Sequence, residues 1–144
     1  MKRLIKFIKS KKFSDIDEFG LEDNYWESYL KYERPLVKYV KNKLDITFAN
    51  EQEITSLIEA KDFKEVINFS KQLNKLVVVT RSEKGAVAIQ GEEVIETGIL
   101  QNLKILDLTG AGDLFAAGFL HGYVNKLSIK ESLKKGTEMS SKVI

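Results

Sequence analysis

The 144 residues, 43% hydrophobic and 31% charged with one proline, suffice for one domain with a real core and are too few for two ordinary ones. This balance excludes collagenous, low-complexity and wholly disordered chains, no apolar run approaches the ~18 residues of a membrane span, and the absence of cysteine removes disulfide frameworks, thiolate zinc sites and cysteine nucleophiles. The formal charge of +2 is uneven: six of the 23 Lys/Arg (Lys2, Arg3, Lys6, Lys9, Lys11, Lys12) fall in the first 12 residues, and the other 17 face 21 acidic residues. Basic charge confined to one short segment, with a net acidic remainder, argues against nucleic acid as a partner.

Residues 1–20 form a basic segment with no assigned role. Leu4, Ile5, Phe7 and Ile8 stand among its lysines, a pattern that fits a solvated helix or frayed terminus, with a membrane-surface helix as the alternative. It lacks the apolar length and small-residue cleavage site of a signal peptide. From Glu22 to Leu44, Tyr25, Tyr29, Tyr32, Leu36 and Tyr39 recur at helical spacing, with Trp26 and Leu30 beside them. The spacing predicts helix, and Pro35 either divides it or opens a second helix at its first turn. The aromatic stripe reads as core packing in preference to a base-stacking platform.

Asp45 to Ala49 reads as a strand, followed by Asn50-Glu51-Gln52-Glu53 and helices through Ile54, Leu57 and Ile58 and through Phe63, Val66, Ile67, Phe69 and Leu73. Leu76 to Thr80 is a continuous apolar run, the pattern of a strand buried on both faces of a parallel sheet. Gly85 to Gln90 and Glu93 to Thr97 form an expected hairpin around Gly91-Glu92. Lys104 to Leu108 reads as a strand that feeds a glycine-rich turn at 110–112 and a helix to about Tyr123. A last helix is predicted over 128–143, capped by Ser128 with Glu131 three residues on. Strands alternating with helices predict an α/β layer fold, with no repeat or linker.

The chemistry concentrates in Asp107-Leu-Thr-Gly-Ala-Gly-Asp-Leu-Phe-Ala-Ala-Gly-Phe119. Gly110, Ala111 and Gly112 let the backbone turn tightly and aim unpaired N–H groups at one point, where the helix dipole adds positive potential. Asp113 lies beside that point. A carboxylate there repels an anion unless it has work to do, such as accepting a proton from a hydroxyl that attacks phosphorus. A dinucleotide fingerprint needs glycine at 115, which is Phe, and a Walker A loop needs Lys where Asp113 stands. An Asp capping a helix after a flexible turn is the bland alternative.

The thirteen-residue string closely resembles the signature of the ribokinase-like (PfkB family) carbohydrate and nucleoside kinases, Asp-Thr-x-Gly-Ala-Gly-Asp-x-Phe-x-x-Gly-Phe, departing at Leu108. The resemblance implies a three-layer α/β/α fold and ATP-dependent transfer of the γ-phosphoryl group to a hydroxyl of a sugar or nucleoside. It also implies Asp113 as catalytic base, Gly110, Ala111 and Gly112 as anion hole, and Asp107 and Thr109 beside a monovalent-cation (K⁺) site. Asn50-Glu-Gln-Glu53 resembles the family's Asn-x-x-Glu motif, implying that Asn50 and Glu53 organise Mg²⁺ and phosphate; alone, the same spacing is a helix capping box. Thr80-Arg-Ser-Glu-Lys-Gly85 resembles the nucleotide-contacting Thr-x-Gly-x-x-Gly turn, with Ser82 where glycine is common, and implies nucleotide contacts from Thr80, Arg81, Ser82 and Gly85. That variant, like Phe-Ala-Asn-Glu at 48–51, is similar to the bacterial adenosine-kinase-like branch. Lys84 either approaches phosphate or is solvated, and His121 reads as a surface or packing residue.

The resemblance makes residues 21–144 a partial nucleotide-binding domain, the carboxyl-terminal half of such a kinase without the substrate half and its lid. Without a wall to align the acceptor, the chain alone is expected to have little or no turnover. An uncovered sheet edge would favour a homo-oligomer or a missing amino-terminal half as partner. A non-catalytic nucleotide-binding remnant and an interaction module docking through residues 1–12 are the alternatives. A cytoplasmic location is expected; the acceptor is not specified by these residues.

Overall fold

The computed structural model describes residues 35–100 and 109–142. The basic start, the aromatic stripe over 22–34, the expected strand at 104–108 and Asp107 lie outside the described residues. Helix α1, Pro35–Lys43, begins on the proline, whose fixed φ and missing N–H suit a first turn. Strand β1, Ile46–Asn50, leads directly into α2, Glu51–Ile58, and α3, Phe63–Leu73, returns the chain to β2, Leu76–Thr80. A short 3₁₀ turn at Ser82–Lys84 leads to β3, Ala86–Gln90, and β4, Glu93–Thr97. Helices α4, Ala111–Val124, and α5, Ile129–Ser140, complete the described chain.

The four strands form one sheet in the order β1-β2-β3-β4. β1 and β2 are parallel, with Asn50 opposite Thr80 at their carboxyl ends, and the α2–α3 crossover joins them. β2–β3 and β3–β4 are antiparallel, so the sheet is mixed and not parallel throughout. The valine run reports two covered faces and carries no information about the direction of a neighbour. The turn after β2 is too short for a crossover, so β3 must run back.

Alternation along β2 sends its side chains into two cores. Leu76 and Val78 join Ala86, Ala88, Phe115, Phe119 and Leu133 under α4 and α5. Val77 and Val79 join Ala49, Ile54 and Val66 under α2 and α3. These are the three α/β/α layers.

Helix ends follow the residues available. Ser128 accepts from the Glu131 N–H at 3.2 Å while Glu131 Oε2 accepts from the Ser128 N–H at 2.9 Å, the capping box expected from sequence. α5 stops at Ser140, three residues before the expected end, where Ser140 and Ser141 hydroxyls donate to the Thr137 and Glu138 carbonyls. In the hairpin, Gly91 takes φ 54° at the first turn position, a conformation glycine adopts without strain.

α4 and α5 approach closely at three glycines. A Cβ on Gly118 would lie 2.5 Å from the Lys135 carbonyl oxygen, one on Gly122 2.9 Å from Ser132 Oγ, and one on Gly136 2.9 Å from the Phe115 carbonyl oxygen. Phe119, fully buried, then meets Phe48 of β1 edge-to-face at 5.4 Å.

Candidate functional site

β1 and β2 end side by side, and α2 starts at the next residue after β1. The carboxyl ends of parallel strands are where open α/β sheets place ligands, because strand ends and helix amino termini converge there. A pocket of about 80 Å³ opens at this point, lined by Phe48, Ala49, Asn50, Glu53, Val78, Thr80, Gly112, Asp113, Phe115 and Ala116. Three stretches distant in sequence therefore share one cavity: the Asn50–Glu53 cap, the end of β2 and the first turn of α4.

The cap is a reciprocal one. Asn50 Oδ1 accepts from the Glu53 N–H at 2.8 Å, and Glu53 Oε2 accepts from the Asn50 N–H at 2.8 Å. The capping-box interpretation of Asn-x-x-Glu is thus realised, and both side chains also line the pocket. The two readings are compatible: capping fixes the rotamers that present an amide and a carboxylate at the cavity rim.

At the head of α4, Gly110 stands at φ 80° as the cap, in the left-handed region that favours glycine; of the turn, Gly112 lines the pocket, whereas Gly110 and Ala111 do not. Leu114 N–H, donating to the Gly110 carbonyl at 3.0 Å, is the first amide of α4 to close a helical turn. The amides of 111–113 precede it and have no intrahelical acceptor. Among the described residues, a Cβ at Gly110 or Gly112 would meet nothing within 4 Å. Asp113 is exposed in the first turn of α4 and reaches the pocket.

The β2–β3 turn divides its residues differently. Thr80 lines the pocket. Ser82 is exposed at φ 52°, a left-handed conformation, which gives a backbone reason for glycine at that place in similar turns. Gly85, at φ 81°, could carry no side chain: its Cβ would fall 1.9 Å from the Thr97 carbonyl oxygen. Gly85 lets β3 start against the end of β4 and does not line the pocket. Arg81 does not line it either. Its guanidinium pairs with Glu51, Nε to Oε2 at 2.9 Å and Nη2 to Oε1 at 3.3 Å, and lies 3.6 Å over the Phe63 ring. That hydrogen-bonded pairing, aided by Lys84, holds the Glu51 carboxyl below its usual range.

Thr109 is exposed, and its expected companion Asp107 lies outside the described residues. His121 is exposed near the far end of α4, away from the pocket. Among the described residues, no three His, Asp or Glu side chains converge as a metal cluster, and no helix is long and apolar enough to cross a membrane. The sequence did not single out Phe48, Val78 and Phe115 as the apolar floor, or Glu51 as a partner for Arg81. The register Asn50↔Thr80 is the signal that joins the last two, since Glu51 and Arg81 are the next residues on each strand.

Over residues 9–144 the chain matches the family described as pfkB family carbohydrate kinase. It is 34% identical over 122 residues to a cytidine kinase of Thermococcus kodakarensis, covering 83% of this chain and 44% of that protein. An adenosine kinase from Sinorhizobium meliloti superposes with a TM-score of 0.72 at 36% identity, over 78% of this chain and 35% of its own. A ribokinase of Arabidopsis thaliana, solved with ribose and ATP, gives a TM-score of 0.63 at 29% identity, over 71% of this chain and 35% of its own. The chain spans less than half the length of each of these three relatives. With its fold, its glycine turn and this family match along most of its length, the chain belongs to the pfkB family of carbohydrate kinases, within the ribokinase-like fold.

Proposed function

We propose that the pocket is the nucleotide and phosphoryl-transfer half of an ATP-dependent kinase that acts on a hydroxyl of a sugar or nucleoside. One observation carries this reading: Gly112 and Asp113, at the start of α4, share a single cavity with Asn50, Glu53 and Thr80. The acceptor oxygen forms a bond to the γ-phosphorus as the bond to the β-γ bridging oxygen breaks, and ADP leaves. Asp113 takes the hydroxyl proton, and the amides of residues 111–113 stabilise charge on the equatorial oxygens. Thr80, which lines the pocket, and the Ser82 turn after it would contact the nucleotide. ATP named with the Arabidopsis ribokinase, and the nucleoside kinases among the relatives, support this donor and acceptor class.

Asn50 and Glu53 offer hard oxygen donors, one amide and one carboxylate, which fits Mg²⁺ drawing its remaining ligands from phosphates and water. When bound, the ion would neutralise charge on the phosphates. A K⁺ site beside Asp107 and Thr109 belongs to the same proposal.

A second reading, a nucleotide-binding remnant without turnover, uses the same cavity. Calorimetric titration of the folded chain with MgATP, followed by a phosphorylation screen of sugars and nucleosides, tests both. Saturable binding with turnover that falls by about 10² or more in Asp113→Asn supports the kinase. Binding without turnover supports the remnant. No binding by a folded chain refutes both.

A further inference from the structure

Arg81 stands in the turn that resembles a nucleotide-contacting motif, yet its guanidinium is committed elsewhere. Both ends of the Glu51 carboxylate hold it, and Phe63 covers one face. Phe63 packs on the core beneath α2 and α3, whereas the floor of the pocket, Val78 and Phe115, belongs to the core beneath α4 and α5. The Arg81 guanidinium therefore sits against the α2–α3 side of the sheet, and Arg81 does not line the pocket.

The contact closes a specific gap. The β1–β2 ladder ends on the Asn50↔Thr80 pair, and both residues line the pocket. One residue further along each strand, the main chains diverge, β1 into α2 and β2 into the Ser82–Lys84 turn. Glu51 and Arg81 occupy those two positions. A bidentate ion pair there extends strand pairing one rung beyond the hydrogen-bonded ladder, with side chains in place of backbone. The side chains are 30% and 16% exposed, so solvent screening is reduced.

We propose that Arg81 is a positioning residue, not a ligand of the nucleotide: through Glu51 it locks the Thr80 turn to the Asn50–Glu53 cap and so sets the width of the pocket rim. The role rests on the pocket being the nucleotide site. Stacking on Phe63 removes the freedom of the long side chain, so the clip constrains two backbones and not merely two side-chain ends.

The test combines MgATP affinity with backbone amide exchange on the full chain, for wild type, Arg81→Gln, Arg81→Lys, Glu51→Gln and the Arg81→Gln/Glu51→Gln double variant. Each glutamine variant should weaken MgATP by about 10-fold, the double variant no more than either alone, and Arg81→Lys should regain part of the loss. Exchange at the Glu53 and Arg81 amides should quicken about 10-fold, while the amides of Val77 to Val79 keep their protection. If Glu51→Gln leaves affinity intact or improves it while Arg81→Gln abolishes it, Arg81 is a direct ligand and the proposal falls. Unchanged affinity in every variant overturns it as well. If the variants show the exchange response but the folded wild type binds no MgATP, the nucleotide site itself is refuted and with it the role of the clip in setting the pocket rim.

Discussion

Gly85 and Gly110 share nearly the same φ, 81° and 80°, but Gly110 at ψ −7° is left-handed whereas Gly85 at ψ −137° lies in a region that side chains rarely enter, so substitution at Gly85 adds both backbone strain and packing. In Gly110→Ala the new methyl meets none of the described residues within 4 Å, and the cost is conformational, about 1–2 kcal/mol. In Gly85→Ala the methyl falls 1.9 Å from the Thr97 carbonyl oxygen and 2.9 Å from Gly98 Cα. Relief demands that the end of β4 move by more than an ångström, which breaks the Ala86↔Thr97 pair. Strain of about 1–3 kcal/mol, a similar overpacking cost and the lost ladder contacts bring the total to about 4–6 kcal/mol, against a typical domain stability of about 5–15 kcal/mol. Urea unfolding followed by far-UV circular dichroism should show Gly110→Ala with a midpoint lowered by no more than about 1 M and Gly85→Ala lowered by about 2–3 M or already unfolded. MgATP affinity should fall about 10-fold in the stable variant, because its methyl projects over the open turn. Midpoints for the two variants within about 0.5 M of each other would show that the Thr97 contact is not rigid and would refute the reasoning.

Ser82→Gly relieves about 1–2 kcal/mol of left-handed strain at an exposed position and returns about 1 kcal/mol of chain entropy to the unfolded state, so thermal melting should rise slightly; a clear fall would contradict the strain. The lowered Glu51 carboxyl stabilises the fold fully above its ordinary value of about 4.5, and that contribution is lost as pH falls through the folded value. The stability gap between wild type and Glu51→Gln should therefore shrink as pH falls below about 4.5, and a constant gap would exclude the ion pair as its source. Gly118→Ala should cost about 2 kcal/mol in denaturant titration although alanine is the better helix former by about 1 kcal/mol, because its methyl would press on the Lys135 carbonyl; a gain would mean that α5 yields freely.

The fold was legible wherever a local pattern had a single physical solution. Pro35 could open a helix but not continue one, Ser128 and Glu131 could close a capping box, and Gly91 could turn a hairpin. The direction of β3 was not legible from the valines of β2, since burial on two faces is independent of how neighbours run. The site was legible in part because the glycine turn and Asp113 are contiguous. Asn50 and Glu53 were ambiguous for a physical reason: the atoms that cap α2 are also the ones at the pocket rim. Arg81 and Glu51, thirty residues apart, meet only because the strands pair in parallel, and no local pattern encodes that register.

Gly118 and Phe119, the last residues of the signature segment, do no chemistry; they anchor α4 to α5 and to β1. Contact between main chains has few soft coordinates, because peptide groups have no rotamers to hop between. The position of Asp113 at the start of α4 is then buffered against drift in neighbouring apolar side chains. Exchanging Leu133 for methionine should alter packing without tilting the helix. The interface is tolerant where it is oily and unforgiving where it is bare backbone, so sequence divergence can proceed around the pocket without displacing the carboxylate.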